Sequence, residues 1–541
     1  MKNTSATSGK LPEGWELRDG RPIQTRIAQY PALLLGKDPY SDNFLASYGQ
    51  TYMMLAAPPG SGKDVGIVIP NMLSYPHSVV LNDVKFESWY KTAGFRHACG
   101  QKVLRFSPGM LETHHWNPFR AIRQDALWRL GDLRTMASSL YVPDNEKNAS
   151  WFVKAGNIFV AICLFIIETD GEYPLTLPQV YEIGSLGAQL GIWAQREIDE
   201  RSSKGKPLSD ETVRELNMIV SESKSKDFAT LVGFLTPRLA IYGEKTVALA
   251  LTESKNPAEN IDFSRMREEL TTVYFCVTEG EMKKFAPLMN LFYSQAIREN
   301  SKVIPEQGGH CEDGSLRLKF QLLFLMNEFA IMKRIEVMET APALSRGAGL
   351  RFLIVFQNEM QVCANDCYGK EGGNALMKTF HNVVVFSPGD IDASTAYSKR
   401  LGTTTVRVPS DNAGLSDGQR RSRGRSWTLQ PRPLMLPQEI DALPYEDEII
   451  FMAATEKTPK MNIKAKKIMW YKEKIFQERA DVKLYPLPDV PVGNPEHLKG
   501  MVKSVVKQSQ TLKMAKPQGD DILKEKARRE RVDAPQINNQ P

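Results

Sequence analysis

Cysteine is scarce in this chain, and its scarcity excludes a fold that is held together by disulfide bonds. Six cysteines are spread over 541 residues, a usage typical of proteins from reducing compartments. Cys363 and Cys367 stand close together, but no second pair of cysteine or histidine residues follows them at the spacing of a zinc site. We therefore interpret both as ordinary thiols.

Long hydrophobic runs are also missing. No stretch reaches the roughly 18 apolar residues that a transmembrane helix needs, and the nearest one, at residues 158–167, is interpreted as a buried core helix. The N-terminus has no apolar region of the kind that a secretory signal peptide carries. We therefore expect a soluble chain that stays inside the cell.

A strong excess of charge of one sign is absent too. Lysine and arginine number 69 against 63 aspartates and glutamates, which gives a net charge of +6. That balance argues against a protein that coats nucleic acid by electrostatics alone. The hydrophobic share of 42% is ordinary for a globular protein. At about 150 residues per domain, the length suggests roughly three or four domain-sized units.

Residues 52–85 contain the pattern of a strand, a glycine-rich loop, a helix and a second strand. This order predicts a βαβ unit in a parallel sheet, and hence an α/β fold. The loop, PPGSGKD at residues 58–64, has the sequence context of a phosphate-binding loop. Its glycines let backbone N–H groups turn inward, and Lys63 adds a charge for the β- and γ-phosphates of a nucleotide. The predicted nucleotide-binding residues are Pro59, Gly60, Ser61, Gly62, Lys63, Asp64 and Val65.

The loop departs from the common GxxxxGK[ST] pattern at both ends. Ala57 stands at the position of the first glycine. Asp64 stands at the position of the serine or threonine whose hydroxyl holds Mg²⁺. A glycine turn with a surface lysine is the alternative interpretation of the loop by itself.

A second candidate element is the apolar run at residues 321–330, which contains Asn327 and Glu328. Nucleotide hydrolases usually have Asp-Glu there, where the first acid holds the water shell of Mg²⁺ and the second polarises the attacking water. We predict Glu328 as the catalytic base; the alternative is a solvated glutamate at a strand end. Asn327 is uncharged and should bind a hydrated cation less well, and Asp64 offers a compensating carboxylate. The predicted Mg²⁺ site is thus Asp64 and Asn327, acting through water.

Further polar residues near these strands are candidates. Gln357 ends the next apolar strand, where an amide can sense the γ-phosphate, although a glutamine also caps buried strand ends. Arg346 lies between the two strands and is the candidate for an arginine that stabilises transition-state charge in a neighbouring subunit. Arg351 competes with it, and a surface salt bridge is the alternative for each. Lys85 and Arg96 are candidates for contacts to phosphate, to a neighbouring subunit or to substrate.

Segment boundaries follow from changes of pattern along the chain. From about residue 121 to 241 helical periodicity replaces strand signals, which predicts an all-helical insertion. Strand signals return at residues 271–278 and continue to 446–454. We expect an N-terminal lead-in at 1–50, a nucleotide-binding domain at 51–120 and 246–490, an all-α insertion at 121–245, and a charged tail at 491–541.

A basic cluster is the best local candidate for a nucleic-acid contact. It comprises Arg420, Arg421, Arg423, Arg425 and Trp427. Arginines next to an aromatic residue suit phosphate contacts combined with base stacking. The surrounding stretch, residues 409–432, is rich in serine, glycine and arginine, so we expect a mobile loop here. A solvated loop without any role in binding is the alternative.

Eight segments in a fixed order resemble a known family. They are APPGSGKDVGIVIPN at 57–71, LNDVKFESWYKTAGFR at 81–96, WNPF at 116–119, FAPLMNLFYSQ at 285–295, FLMNEFA at 324–330, FLIVFQN at 352–358, VVVFSPGDIDASTAYSKRLG at 383–402 and RPLMLPQEIDALPYEDEIIF at 432–451. In this series the chain resembles the TraG-type coupling ATPases of type IV secretion, from about residue 36 to 473.

The resemblance implies a RecA-like nucleotide-binding domain with an inserted all-α domain, and ATP and Mg²⁺ as ligands. It implies a homo-hexamer at the cytoplasmic face of the bacterial inner membrane, with relaxase–DNA complexes or protein effectors as cargo. The channel ATPases and inner-membrane subunits of the secretion system are the implied partners, and single-stranded DNA is a candidate contact. Lys63, Glu328 and Gln357 match the family's phosphate-loop lysine, second-motif glutamate and glutamine motif. Arg346 falls near the position of the arginine finger in related hexamers.

Three departures accompany the resemblance. Asn327 replaces the usual aspartate, Asp64 replaces a serine, threonine or glycine, and the N-terminal membrane helices typical of the family are not found in this sequence. Two rival functions stay open. One is a nucleotide-binding docking receptor with little turnover, suggested by Asn327 and Asp64. The other is a DNA translocase outside secretion, as in chromosome segregation.

Overall fold

The computed structural model describes residues 11–27, 30–143, 145–169, 171–415, 421–455, 458–498 and 502–505. The strands are β1 Trp15–Arg18, β2 Arg21–Gln24, β3 Leu33–Lys37, β4 Phe44–Ser47, β5 Met53–Ala56, β6 Ser78–Val84, β7 Lys102–Phe106, β8 Thr271–Val277, β9 Leu322–Met326, β10 Leu350–Phe356, β11 Asn382–Val385, β12 Thr403–Leu415, β13 Arg421–Pro433, β14 Asp447–Met452 and β15 Met461–Lys466. The α-helices are α1 Ile69–Met72, α2 Glu87–Ala98, α3 Arg129–Leu140, α4 Ala149–Glu168, α5 Leu177–Gly184, α6 Leu190–Ser203, α7 Asp210–Glu222, α8 Phe228–Leu239, α9 Lys245–Ala250, α10 Met282–Ser301, α11 Ala341–Leu344, α12 Glu359–Val362, α13 Gly369–Lys378, α14 Ile391–Leu401, α15 Pro437–Asp441 and α16 Lys474–Ala480.

Most strands belong to one sheet, whose order is β4-β3-β15-β14-β11-β5-β10-β9-β6-β8-β7. The strands from β11 to β7 in this order run parallel, and β14, β15, β3 and β4 continue the sheet antiparallel. The carboxyl ends of the parallel strands therefore meet along one edge, and sheets of this kind bind ligands outside that edge. The predicted α/β class is confirmed.

The central strands β5, β9 and β10 are apolar except for Arg351, because helices cover both faces of the sheet. Every residue of β5, β9 and β10 is buried, which is the pattern of parallel strands packed on two sides. One face packs against α10 and the other helices of the larger core, which includes Phe292 and Phe324. The other face packs against α1 and α2 in a second core that includes Met72 and Trp89.

Between β7 and β8 the described residues form helices α3 to α9 and no strand. Helix α4 lies at the centre of this group, and it is buried almost continuously from Ile158 to Ile166, as predicted. Among the described helices it alone is long and apolar enough to cross a membrane, yet 67% of its apolar window is buried inside the fold. Its apolar surface is therefore used for packing within the core. The boundaries drawn at residues 121 and 245 stay predictions.

The expectation of a mobile loop at residues 409–432 is wrong where the structure describes the chain. Strands β12 and β13 pair antiparallel from Thr403 opposite Pro433 to Leu415 opposite Arg421, and they form a two-stranded ribbon separate from the main sheet. The serine, glycine and arginine content suggested a loop, but the two arms satisfy each other's backbone hydrogen bonds. A loop composition does not exclude a strand when a partner arm is available.

Candidate nucleotide-binding site

Three strand ends bring Lys63, Glu328 and Gln357 to one edge of the sheet. Strand β5 leads into the phosphate loop, β9 ends just before Asn327 and Glu328, and β10 ends just before Gln357. The three strands are parallel neighbours in the order β5-β10-β9. Because the carboxyl ends of parallel strands share one edge, these loops adjoin one another.

The phosphate loop has the backbone that its glycines permit. Gly60 (φ 75°) and Gly62 (φ 86°) lie in the left-handed region, where a residue with a side chain is strained. The Ser61 hydroxyl donates to the Pro58 carbonyl at 2.6 Å, and a helical turn, Asp64–Val68, follows. The loop therefore turns tightly between strand and helix, as a phosphate cradle requires.

Lys63 and Glu328 form an ion pair at the centre of the site. Their side chains are 12% and 15% exposed, so the pair is largely shielded from water. Burial lowers the pKa of Lys63, and the charge of Asp64 opposes that shift. Glu328 has a left-handed backbone (φ 52°), which persists only where the surroundings hold it. Its second carboxylate oxygen accepts a hydrogen bond from Gln357 Nε2 at 3.3 Å, so Glu328 is held between the lysine and the glutamine.

Asp64 and Asn327 are in direct contact. Asn327 Nδ2 donates to Asp64 Oδ1 at 2.7 Å, and Asn327 Oδ1 accepts from the Glu328 N–H at 3.1 Å. Burial raises the pKa of Asp64, while the Lys63 charge and the hydrogen bond from Asn327 oppose the shift. Among the described residues no group of three His, Cys, Asp or Glu side chains is placed to hold a metal ion. Mg²⁺ prefers carboxylate, phosphate and water oxygens, so Asp64 fits the ion only together with nucleotide phosphates.

Asp83 is a buried carboxylate at the carboxyl edge of the sheet, and the sequence predicts no role for it. It lies near the end of β6, and its oxygens accept hydrogen bonds from the N–H groups of Ser88 (3.2 Å) and Trp89 (2.7 Å) at the start of α2. Burial raises its pKa to about 7, the two N–H groups oppose the shift, and the charge of Asp64 adds to it. An aspartate at the end of an apolar strand, a few residues before a helix, was the available signal, because a carboxylate there can accept hydrogen bonds from the helix start.

Arg346 lies at the other end of the parallel strands. It precedes β10, whereas the phosphate loop follows β5, so a strand's length separates it from Lys63 in the same chain. Arg346 Nη2 donates a hydrogen bond to His381 Nε2, and the Arg346 guanidinium lies 5.7 Å from the centre of the Tyr52 ring. Arg346 is therefore remote from the nucleotide site of its own chain, and a role in a neighbouring subunit stays a prediction.

Arg351 is wrong as the competing candidate for an arginine finger. Its side chain is fully buried (0% exposed), and it donates to the backbone carbonyls of Thr51 (3.0 Å), Pro31 (2.7 Å) and Ser47 (2.8 Å). Burial lowers its pKa to about 10. Its donors are committed to neighbouring backbone, so Arg351 stabilises the fold and does not face a ligand.

Replacing Arg351 with methionine is expected to lower the free energy of unfolding by about 3 kcal/mol, because buried carbonyls lose a charged donor. Chemical denaturation measures the loss. The matched control is Arg346→Met, an exposed arginine for which a change below about 1 kcal/mol is expected. A weaker affinity of Arg351→Met for nucleotide at unchanged stability would contradict this assignment.

Lys85 and Arg96 differ in exposure, as Arg346 and Arg351 do: Arg96 is buried and Lys85 is exposed. Arg96 is 2% exposed and donates to the carbonyls of Met72 (2.8 Å) and His77 (2.7 Å), so the hypothesis that it contacts phosphate, a subunit or substrate is wrong. Lys85 is exposed and pairs with Glu279 at 2.9 Å. It stays available at the carboxyl edge of the sheet.

The basic cluster lies at the ribbon. Arg420 falls outside the described residues, and Arg421, Arg423 and Arg425 belong to β13. Trp427, on the same strand, is 61% exposed. An exposed aromatic ring suits base stacking, and the role of the arginines stays a prediction.

The fold and the site together define a class of protein. It is the class of RecA-like α/β folds with a phosphate-loop sequence after β5 and a helical region between β7 and β8. A family described as "Type IV secretory system Conjugative DNA transfer" matches residues 8–486. The match spans most of the chain, so the protein belongs to this family, and the resemblance to coupling proteins is confirmed.

Individual relatives agree with this assignment. Conjugal transfer protein TraG of Escherichia coli is 24% identical over 526 residues, covering 90% of this chain and 74% of the relative. Protein VirD4 of Rhizobium rhizogenes is 24% identical, and the match covers 83% of this chain and 62% of VirD4. A TraG of Rhizobium radiobacter is 32% identical, covering 75% of this chain and 61% of its own length. The chain thus spans between about three fifths and three quarters of these relatives.

Solved structures of similar fold include the plasmid coupling protein TrwB. Its complex with the non-hydrolysable ATP analogue ADPNP matches with a TM-score of 0.56 at 15% identity, covering 82% of this chain and 89% of TrwB. The unbound form, TrwBdeltaN70, matches with a TM-score of 0.54 at 14% identity. At these identities the likeness establishes the fold alone.

Proposed function

We propose that this protein is an ATP-driven coupling protein, which recruits relaxase–DNA complexes, protein effectors or both and delivers them to a type IV secretion channel. The observation that carries the proposal is the grouping of Lys63, Glu328 and Gln357 at one sheet edge in a member of the conjugative DNA transfer family. TrwB forms complexes with ADP and Mg²⁺ and with an ATP analogue, which supports ATP and Mg²⁺ as the ligands here.

Each side chain of the site has one task in this proposal. Lys63 exchanges its ion pair with Glu328 for the β- and γ-phosphates, and the released carboxylate takes a proton from the attacking water. Gln357 donates a hydrogen bond to Glu328 and so links that carboxylate to the end of β10. Through this link, loss of the γ-phosphate is transmitted to the strand. Asp64 would hold Mg²⁺, which neutralises phosphate charge when bound, and Asn327 orients Asp64.

We infer a homo-hexamer at the cytoplasmic face of the bacterial inner membrane as the working form. Arg346 lies a strand's length from the site of its own chain, so it can act on ATP only in a neighbouring subunit. An isolated monomer should therefore hydrolyse ATP poorly. The channel ATPases and inner-membrane subunits of the secretion system are the proposed partners. The arginines at 420, 421, 423 and 425 are the proposed contacts to single-stranded DNA.

Steady-state phosphate release, with and without single-stranded DNA, tests the proposal on the parent chain and on Lys63→Ala. We expect turnover that DNA raises and that Lys63→Ala abolishes. Stimulation by linear duplex DNA, without binding to secretion partners, would favour a DNA translocase outside secretion. Stable nucleotide binding by a hexamer that releases no phosphate would favour a docking receptor.

The docking receptor is the second candidate function, and one observation favours it. The residue before Glu328 is an amide, Asn327, whose Nδ2 already donates to Asp64. The carboxylate on the proposed Mg²⁺ side is therefore Asp64 of the phosphate loop, whereas nucleotide hydrolases of this type usually have an acid at the position of Asn327. A weakly held Mg²⁺ would slow hydrolysis more than it weakens nucleotide binding.

Replacing Asn327 with aspartate is expected to raise turnover at limiting Mg²⁺, because a second carboxylate beside Asp64 binds the water shell of the ion better. Without Mg²⁺ the variant should be about 1–2 kcal/mol less stable, since two like charges replace a hydrogen bond. Phosphate release against Mg²⁺ concentration, and thermal unfolding with and without Mg²⁺, measure the two effects. An unchanged Mg²⁺ dependence would remove Asn327 from the metal site.

A further inference from the structure

The phosphate loop has a wall on its outer side that comes from the antiparallel part of the sheet. Strands β14 and β15 lie beyond β11, and Tyr445 and Lys467 flank them in sequence. A Cβ atom on Gly62 would lie 2.7 Å from the Tyr445 hydroxyl oxygen, so the tyrosine closes one side of the loop. Gly62 is favoured by its positive φ, and its missing side chain leaves room for the Tyr445 hydroxyl.

Lys467 contacts the phosphate loop directly. The residue is 5% exposed, and its ammonium donates to the Ser61 carbonyl at 2.8 Å. The same ammonium lies 3.8 Å from the centre of the Phe386 ring and 4.7 Å from that of Tyr445, distances at which the face of an aromatic ring attracts a cation. A charged donor is therefore fixed beneath the loop by three different groups.

A buried carboxyl lies close to this lysine. Glu448, on β14, is fully buried (0% exposed), and neither of its carboxylate oxygens has a hydrogen-bond partner among the described residues. Burial lowers the pKa of Lys467 to about 8, and the charges of Glu448 and Asp447 oppose the shift. Asp447 itself pairs with Lys464 and Lys466. Lys467 is the charged group that connects this strand pair with the phosphate loop.

We propose that Lys467 is a positioning residue for nucleotide binding, which sets the orientation of the Ser61–Gly62 peptide in the phosphate loop. A trans peptide is planar, so its carbonyl and its N–H point in opposite directions. The Ser61 carbonyl points to Lys467, and the Gly62 N–H must therefore point away from it, into the cradle. The inference rests on the proposed nucleotide site and adds a residue that the phosphate-loop pattern does not contain.

The physical reason for such a residue is the freedom of the loop. Gly60 and Gly62 can each adopt several backbone conformations, and a flipped peptide would present the Ser61 carbonyl to the phosphates in place of an N–H. A carbonyl oxygen facing a phosphate oxygen is repulsive, so each flipped molecule is unable to bind. Holding the carbonyl with a charged donor removes that state from the ensemble and raises the apparent affinity for nucleotide.

Titration with a fluorescent ATP analogue tests the proposal on the parent chain, Lys467→Met, Lys467→Arg and Lys464→Met. We expect Lys467→Met to raise the Kd about 10-fold, which is about 1.4 kcal/mol, with a larger effect on KM than on kcat. Lys467→Arg should stay within about 3-fold of the parent, since it keeps a charged donor. Lys464→Met replaces an exposed lysine on β15, three residues before Lys467, and should bind like the parent.

The pH dependence of the nucleotide affinity gives a second test, which compares the parent with Lys467→Arg and can be carried out even if Lys467→Met folds poorly. In the parent, affinity should fall as the pH rises through about 8, where the ammonium of Lys467 is lost. In Lys467→Arg that fall should be absent, because arginine stays protonated. Glu448, whose pKa is raised well above its usual range by burial, and Asp447 act on Lys467 and are the same in both proteins, as is Lys63 in the loop. Any difference between the two pH profiles is therefore caused by the residue at position 467.

The outcomes separate this inference from the proposed function. A parent that binds no nucleotide overturns the proposed function, and this inference with it. A parent that binds, with an unchanged Kd in Lys467→Met or identical pH profiles for parent and Lys467→Arg, overturns this inference alone. A lower melting temperature without nucleotide, together with an unchanged Kd of the folded fraction, would give Lys467 a role in stability only.

Discussion

Lys63→Ala is expected to weaken ATP binding about 100-fold, or about 2.8 kcal/mol, and to abolish measurable phosphate release. The ammonium is the charged donor of the phosphate loop, and it lies in a largely buried site where an interaction with phosphate is screened little by water. The substitution also leaves Glu328 without its partner, so a carboxylate would face the γ-phosphate and repel it. Calorimetric titration with ATP and steady-state phosphate release measure the two effects.

The control for this experiment is Lys85→Ala. Lys85 lies at the same edge of the sheet, directly after β6, but it is exposed and pairs with Glu279. Its loss changes the net charge by the same amount, and we expect ATP affinity to change less than about 3-fold. Equal losses of ATP affinity in the two variants would mean that the positive charge of this sheet edge as a whole binds ATP. That result would contradict a specific role of Lys63.

The sequence predicts the site residues that directly follow the ends of buried strands. Lys63, Glu328 and Gln357 each follow an apolar run within a few residues. A buried parallel strand is recognisable from four or five apolar residues in a row, as in β5 and in residues 352–356 of β10. Since the ends of such strands meet at one edge, polar residues that follow them come together without further information. The βαβ order around the loop was sufficient to predict the α/β class.

The rest depends on contacts between residues far apart in the chain. Lys467 reaches Ser61 across more than 400 residues (|i−j| = 406), and nothing in its local sequence distinguishes it from Lys464 or Lys466. Arg351 is a similar case, because an arginine after a leucine gives no sign that the carbonyls of Pro31, Ser47 and Thr51 will surround it. Such residues are defined by the packing of β3, β4, β14 and β15, whose order in the sheet does not follow their order in the chain.

Glu328→Gln is expected to lower kcat for ATP hydrolysis about 100- to 1,000-fold, the usual effect of removing a general base. Glutamine has nearly the same shape and keeps an oxygen that can accept from Gln357, so the left-handed backbone at this position is not disturbed. It cannot take a proton from water at neutral pH. Single-turnover phosphate release by an assembled, DNA-bound sample measures the chemical step.

ATP binding should change in the opposite direction in the same variant. Glu328 pairs with Lys63 in the nucleotide-free protein, and this pair competes with the phosphates for the ammonium, so its loss should tighten ATP binding by about 3-fold. Glu279→Gln, an exposed glutamate at the same edge, is the control and should alter neither quantity. A glutamate that only held the loop in shape would, when replaced, weaken binding and leave the chemical step unchanged in the bound fraction. Tighter binding together with slower hydrolysis therefore identifies Glu328 as the base.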